Sequence, residues 1–193
     1  GGNTPRGGGV EKRTGGDRSA APPAQECLFS PSGAGWQHHL EKRHSLELER
    51  SAFNEQDLSL VQMKFPGISR KDADYSALAR DIQGKIAFED LVFEFDEDGY
   101  AVVLPNSNLD QSIGIVKNFL NTLNADILAR HPHPQCGLTS RNGRIVDGAR
   151  LIVEGRKALE KTAATDSGNI VGFRPDPGKY RKYVSDRGAP REA

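Results

Sequence analysis

Three observations predict an α+β fold, an antiparallel-rich central sheet with flanking helices. Short segments dense in β-branched and aromatic residues alternate with segments whose apolar residues recur every three or four positions. Two strand candidates, Leu91–Phe95 and Tyr100–Leu104, flank an acidic turn, Asp96-Glu97-Asp98-Gly99, and read as a tight antiparallel hairpin in which Asp-Gly tolerates positive φ. The order from Leu58 is strand, helix, strand, strand, helix, strand, then one more helix and strand. Its first six elements make the split β-α-β-β-α-β pattern, ferredoxin-like, with helices on one face of an antiparallel sheet.

Residues 1–26 are rich in Gly, Pro, Ser and charge, with Val10 the only large aliphatic side chain. Such a stretch buries too little to offset ordering entropy and is expected to be a disordered linker. Cys27–Gly35 is a turn-rich opening to the domain, expected to span residues 27–174. Trp36, Leu40, His44 and Leu48 recur every four residues and predict a helix over Trp36–Phe53, with Glu41, Lys42, Glu47, Glu49 and Arg50 on its outer face. Leu58–Phe65 is the first strand, with imperfect alternation and Lys64 an unusual resident near its end; Pro66-Gly67 stops it. A helix at about Asp72–Gln83 buries Tyr75, Leu78, Ala79 and Ile82, with Ser69 as its candidate cap.

After the hairpin, Asn106-Ser107-Asn108 opens the best-patterned helix: Leu109, Ile113, Val116, Leu120, Leu123 and Ile127 form one stripe. His131-Pro132-His133-Pro134 ends it. Gln135–Thr139 is a weak strand. Asp147 is placed to cap a helix over Gly148–Ala163, and Asn169–Phe173 is the last strand. Residues 175–193 form an extension, with Tyr180 and Tyr183 suited to a short docked helix.

The 193 residues carry 26 acidic and 26 basic side chains, so no global charge advertises nucleic acid or an anionic membrane. No run has the ~18 apolar residues of a membrane span. Cys27 and Cys136 are expected to be reduced thiols of a cytoplasmic domain, within a longer protein if this is a fragment.

Three carboxylates crowded at a hairpin tip need relief from a cation, a metal or solvent. Glu94, Asp96, Asp98 and Gly99 match the start of an EF-hand loop, but its last ligand position falls on Pro105, which speaks against calcium. His38-His39 and His131-x-His133 lack a third ligand at metal spacing and are read as surface histidines. Arg141-Asn142-Gly143-Arg144 would suit a phosphate or simply an exposed basic turn. Ser140 has no visible His/Asp arrangement for nucleophilic catalysis.

The run FEFDEDGYAVVLPNSNLDQSIGIVKNFL resembles the GGDEF, or diguanylate cyclase, family: an aromatic residue, a five-residue turn, aliphatics ending in Pro, a polar cap and a helix. Ser30–Trp36, Leu58–Phe65, Cys136-Gly137-Leu138-Thr139 and Leu151–Thr162 are similar to further family segments in the same order. Counting back from Pro105 sets the five signature positions on Asp96, Glu97, Asp98, Gly99 and Tyr100.

The resemblance implies a chemistry that joins two GTP molecules, with glycines letting triphosphate approach the backbone and Mg²⁺ held by carboxylates. Here Asp96 and Glu97 stand where the family has glycines, and Gly99 where it has Glu; Asp98 keeps the metal-ligating acid. Lys64 takes the place of the other metal carboxylate, and could instead pair with Asp96 or Asp98 across the sheet. The guanine-reading segment has no counterpart in a shortened Pro66–Arg70 connection. Of the inhibitory R-x-x-D motif, Asp90 survives and Ala87 replaces the Arg. The implied protein is a catalytically inactive regulatory or interaction module in cyclic-di-GMP-type signalling. It has no catalytic residues, bound metal or cofactor expected, and a protein partner or homodimer as its target. The alternative is a residual cyclase, or a domain that binds GTP or cyclic di-GMP, in which Mg²⁺ and GTP return.

Overall fold

β1, Leu58–Lys64, is the strand around which the sheet forms: every residue but Lys64 is buried, so both of its faces meet core. That explains its imperfect alternation, since a strand covered on both sides has no polar face to show. The computed structural model describes residues 28–123, 125–164 and 169–176, with positions 178, 181, 182, 185 and 186 beyond them. The expected linker 1–26, Cys27, and Tyr180 and Tyr183 of the docked helix lie outside these residues.

The sheet order is β2-β3-β1-β4-β5, with β2 at Val92–Phe95, β3 at Gly99–Pro105, β4 at Gln135–Ser140 and β5 at Ile170–Gly172. β1 pairs antiparallel with both β3 and β4, and β2 with β3; only β4 and β5 run parallel. The split β-α-β-β-α-β pattern is therefore present, with a fifth strand added at one edge. The other edge, β2, is covered: Gly35 N–H donates to Val92 O (2.8 Å) and Glu94 N–H to Gly35 O (2.8 Å).

Two apolar layers sandwich the sheet. On one face Val61, Met63, Tyr100, Val102, Cys136 and Leu138 pack against α2 (Ala73–Lys85), α3 (Leu109–Thr122) and α4 (Ala125–Arg130). On the other, Leu58, Leu60, Phe93, Phe95, Ala101 and Val103 meet α1 (Leu40–Phe53) and α5 (Gly148–Ala164). The two helices of the split motif thus share one face as expected, and the added pair takes the opposite one. α5 lies so close to the sheet that a Cβ at Gly137 would be 2.4 Å from Leu159 N. Gln62 Nε2 closes the same interface by donating to Ile152 O at 2.8 Å.

Several local expectations are corrected. The long helix after the hairpin divides. Thr122 Oγ1 bonds back to Phe119 O (2.9 Å), Lys85 Nζ donates to Thr122 O (3.2 Å), and Leu123 turns extended at ψ 143°. Leu123 and Ile127 nonetheless stay buried, so the stripe survives the break. Its start is as expected: Asn108 Oδ1 accepts from Gln111 N–H (2.8 Å) while Gln111 Oε1 accepts from Asn108 N–H (2.9 Å), a reciprocal capping box. Ser69 does not cap α2. Asp72 holds the N-cap position, and its carboxylate accepts from Ser69 N–H instead (3.0 Å). Glu47, assigned to the outer face of α1, is buried between Arg43 and Arg50, 3.3 Å from each.

Cys136 is a fully buried free thiol, which burial pushes up to about 12. The basic turn is exposed at Asn142 and Gly143, but its last arginine is internal: Arg144 forks onto Glu154 at 2.7 and 2.9 Å, Thr139 Oγ1 and Arg150 complete that carboxylate's shell, and Arg141 donates to Gln56 O. Both guanidiniums are thus committed to protein acceptors.

His44 is fully buried with neither ring nitrogen hydrogen-bonded, and desolvation lowers it from 6.5 to about 4. Between those values the unfolded chain binds a proton that the folded one refuses, so stability rises with pH across this window. We predict that His44 alone removes about 3 kcal/mol of stability as pH falls from 7 to 4. Urea titrations of wild type and His44→Leu across that range measure it, and the variant loses this part of the pH dependence.

Candidate functional site

The hairpin tip is built by close backbone packing. Phe95 pairs with Gly99 across β2 and β3, which leaves Asp96, Glu97 and Asp98 as a three-residue turn. The left-handed residue is Asp96, at φ 52°, and not part of the Asp-Gly step. Gly99 is required for a different reason. A Cβ there would fall 2.1 Å from Met63 O on β1. Asp98 O then accepts from Phe65 N–H at 2.8 Å, fixing the turn against the end of β1.

Arg156, and not Lys64, pairs with Asp96 at the tip. Arg156 of α5 grips Asp96 with both nitrogens, Nη1 to Oδ2 at 2.9 Å and Nη2 to Oδ1 at 3.0 Å. Its guanidinium also lies 4.5 Å from the centroid of the Phe95 ring. Arg70, from the β1–α2 connection, donates to the Asp96 carbonyl, and Gln37 Oε1 accepts from Asp96 N–H at 2.8 Å. Among the described residues Lys64 forms no ion pair with Asp96 or Asp98, which corrects the expectation of a cross-sheet pair. The register explains this: Lys64 sits opposite Gly99, past the side chains of the turn.

Behind the tip, Glu94 is buried and accepts from Ser30 Oγ (2.5 Å) and Ser32 Oγ (2.9 Å), with Arg70 Nη1 at 3.2 Å. Tyr100, the fifth signature position, stacks on Tyr75 at 4.6 Å and donates to Tyr75 O at 2.6 Å; Tyr75 in turn donates to Gly99 O at 3.0 Å. Burial drives both phenols well above the ordinary tyrosine range, so they remain neutral donors. The tip is thereby bolted to α2, to α5 and to the segment before α1.

The carboxylates of the expected EF-hand spacing point to separate partners: Glu94 inward to serines, Asp96 to Arg156. Among the described residues no three His, Cys, Asp or Glu side chains converge on a common point. The donor set thus does not reproduce the carboxylate pair expected for the family's Mg²⁺: Asp96 has both oxygens committed, Lys64 brings a cation where the second acid is expected, and Asp98 and Glu97, neighbours in one turn, are the acids left. Asp90 is met by a guanidinium after all, Arg43 Nη2 of α1 at 2.9 Å, from an element other than the one carrying Ala87. His131 Nε2 lies 2.9 Å from Asp74 Oδ2, and Arg130 and His131 together hold that carboxyl near 2. Ser140 is buried at the end of β4, where its carbonyl accepts from Arg144 Nη2 at 2.7 Å.

Sequence reasoning missed Arg70, Arg156, Gln37, Ser30 and Ser32. Charge excess at the tip signalled that cations were needed; nothing in the local pattern said that they would come from 26 and 60 residues away.

No protein-family model matches the sequence. An uncharacterized protein from Treponema pallidum is 34% identical over 88 residues, 44% of this chain, and the chain spans 49% of that relative's length. Solved structures with a similar fold include the active GGEEF domain of a diguanylate cyclase from Vibrio cholerae, at TM-score 0.56 and 15% identity, covering 72% of this chain and 97% of that one. The GGDEF domain of FimX from Pseudomonas aeruginosa gives TM-score 0.63 at 10% identity, covering 76% and 99%. The diguanylate cyclase SiaD from Pseudomonas aeruginosa, in complex with its activator SiaC, gives TM-score 0.60 at 16% identity, covering 75% and 61%. The fold is therefore that of GGDEF domains, as the hairpin resemblance implied.

Gly99→Ala is predicted to destabilise by about 3 kcal/mol or more, because backbone on β1 has to move to admit the methyl group. Arg156→Ala is predicted to cost only about 1 kcal/mol, since its ion pair with Asp96 is partly exposed. Urea unfolding of both variants tests the ranking, and a double-mutant cycle with Asp96→Ala isolates the pair.

Proposed function

We infer that this chain is a non-catalytic GGDEF-like module that regulates or binds another protein in cyclic-di-GMP-type signalling. The supporting observation is the bidentate Arg156–Asp96 pair. It fills the tip at the position where the family keeps a glycine for phosphate approach, while the rest of the core is intact. Side chains at Asp96 and Glu97 crowd that approach and add negative charge, and Gly99 has no room for the family's Glu. With Lys64 at the end of β1 and Asp96 held by Arg156, a divalent cation has only the adjacent Asp98 and Glu97 of the turn as uncommitted carboxylates there. What survives is a rigid scaffold. One structurally similar protein, SiaD, was solved with an activator protein, which favours a role through contacts between proteins. Among the described residues no helix is long and apolar enough to cross a membrane; a cytoplasmic setting follows from the proposed signalling role.

A second reading rests on Arg43 beside Asp90. That pair restores, from a different helix, the guanidinium missing from the inhibitory motif, and would suit a receptor that binds cyclic di-GMP or GTP without turnover.

Incubating the purified chain with GTP and either Mg²⁺ or Mn²⁺ is expected to yield no cyclic dinucleotide above a protein-free blank. A product that disappears in Asp98→Ala contradicts the non-catalytic reading. Calorimetry with cyclic di-GMP and with GTP separates the two readings. Binding of either nucleotide that is abolished by Arg43→Ala selects the receptor.

A further inference from the structure

α1 presents an outward stripe that the other described residues leave uncovered. Lys42, Leu46, Glu49 and Phe53 follow one another at helical spacing, and Leu46 is 50% and Phe53 89% exposed. Beside the start of the stripe, between α1 and the covered edge of β2, lies a cleft of about 340 Å³. Its walls are Leu28, Phe29, Leu46 and Phe93, with His38 and His39 at the helix end. Leu28 is itself 68% exposed. An exposed aromatic knob and an apolar cleft thus lie at opposite ends of one helix, with a lysine near the cleft and a glutamate near the knob. Lys42 and Glu49 have no ion-pair partner among the described residues.

This arrangement is complementary to itself. A two-fold axis crossing α1 beside Leu46 sets two copies of the helix antiparallel. Lys42 of one then faces Glu49 of the other, twice, and the two Leu46 side chains meet near the axis. The seven residues from Leu46 to Phe53 span about 10 Å, which carries each Phe53 over the partner copy's cleft at His38 and His39. Giving the two positions like charges, or moving the aromatic residue to the middle, would destroy the match. We propose that α1 forms a symmetric homodimer interface in which Phe53 of each copy enters the other's cleft. Such an isologous contact needs only one patch on the surface, and it buries apolar area that a monomer would leave in water. The interface lies on α1 and the covering segment of β2, so it does not depend on whether the hairpin tip binds nucleotide. The oligomeric state and the cyclase assay therefore fail independently, whereas a nucleotide held at Arg43 and Asp90, which also line the cleft, would compete with the dimer.

Light scattering and sedimentation of the full chain up to about 100 µM test the proposal, with far-UV circular dichroism confirming that each variant folds. Wild type is expected to dimerise and Phe53→Asp to be monomeric, its fold unaffected because the side chain is exposed. Lys42→Glu alone and Glu49→Lys alone each weaken dimerisation by about tenfold or more, and the two changes together restore it. A monomer throughout this range overturns the proposal and leaves the cleft to another segment of the chain or a different protein. A dimer that survives Phe53→Asp, or charge reversals that fail to rescue each other, overturns it equally.

Discussion

The contact between Gly99 and the carbonyl of Met63 sets the geometry on which the hairpin depends. Because a Cβ would lie 2.1 Å from that oxygen, β3 can draw tight against β1 only with glycine at this position. The register Lys64 opposite Gly99 follows, and with it the placement of Asp96, Glu97 and Asp98 beyond the sheet edge. Tyr75 reads the same backbone from the other side through its bond to Gly99 O, so the α2 face is registered to the hairpin too. A position that carries an acid in active relatives of this fold, by the resemblance, is here a packing constraint.

Charge at the tip is settled by the same logic of long-range packing. Carboxylates held close together raise one another's energy unless cations approach. α5 can supply Arg156 because Gly137 and Gly155 let that helix sit almost on the sheet: a Cβ at Gly155 would come within 2.7 Å of Gln62 Nε2. Arg70 reaches the tip because the connection from β1 to α2 is short, residues 65–72. That short connection places a guanidinium against the Asp96 carbonyl and the Glu94 carboxylate.

Much of this was legible in the sequence, and the physical reason is locality. Helical periods marked α1, α2, α3 and α5, and the hairpin and the polar opening of α3 were visible because their hydrogen bonds close within a few residues. The break at Leu123 was hidden, since it depends on Lys85 reaching Thr122 O from another helix. Glu47 and Arg144 read as surface charges because charged residues usually are; their burial is made possible by partners, Arg43 and Arg50 for one and Glu154 for the other. The cation at the tip was anticipated, but assigned to Lys64 on adjacency along the sheet. Register decided against it, and register was not readable without the pairing of Gly99.

Arg156 pairs with Asp96 at this turn, and the function proposed above requires that no metal is held beside it. Paramagnetic broadening by Mn²⁺ addresses it directly, because amide signals report proximity to the ion residue by residue. On the present account, sub-stoichiometric Mn²⁺ broadens the amides of Asp96, Glu97 and Asp98 no more than those of exposed acids elsewhere, such as Glu41 and Glu49. Selective loss of the three tip signals at that concentration would show a metal held at the hairpin and contradict the account.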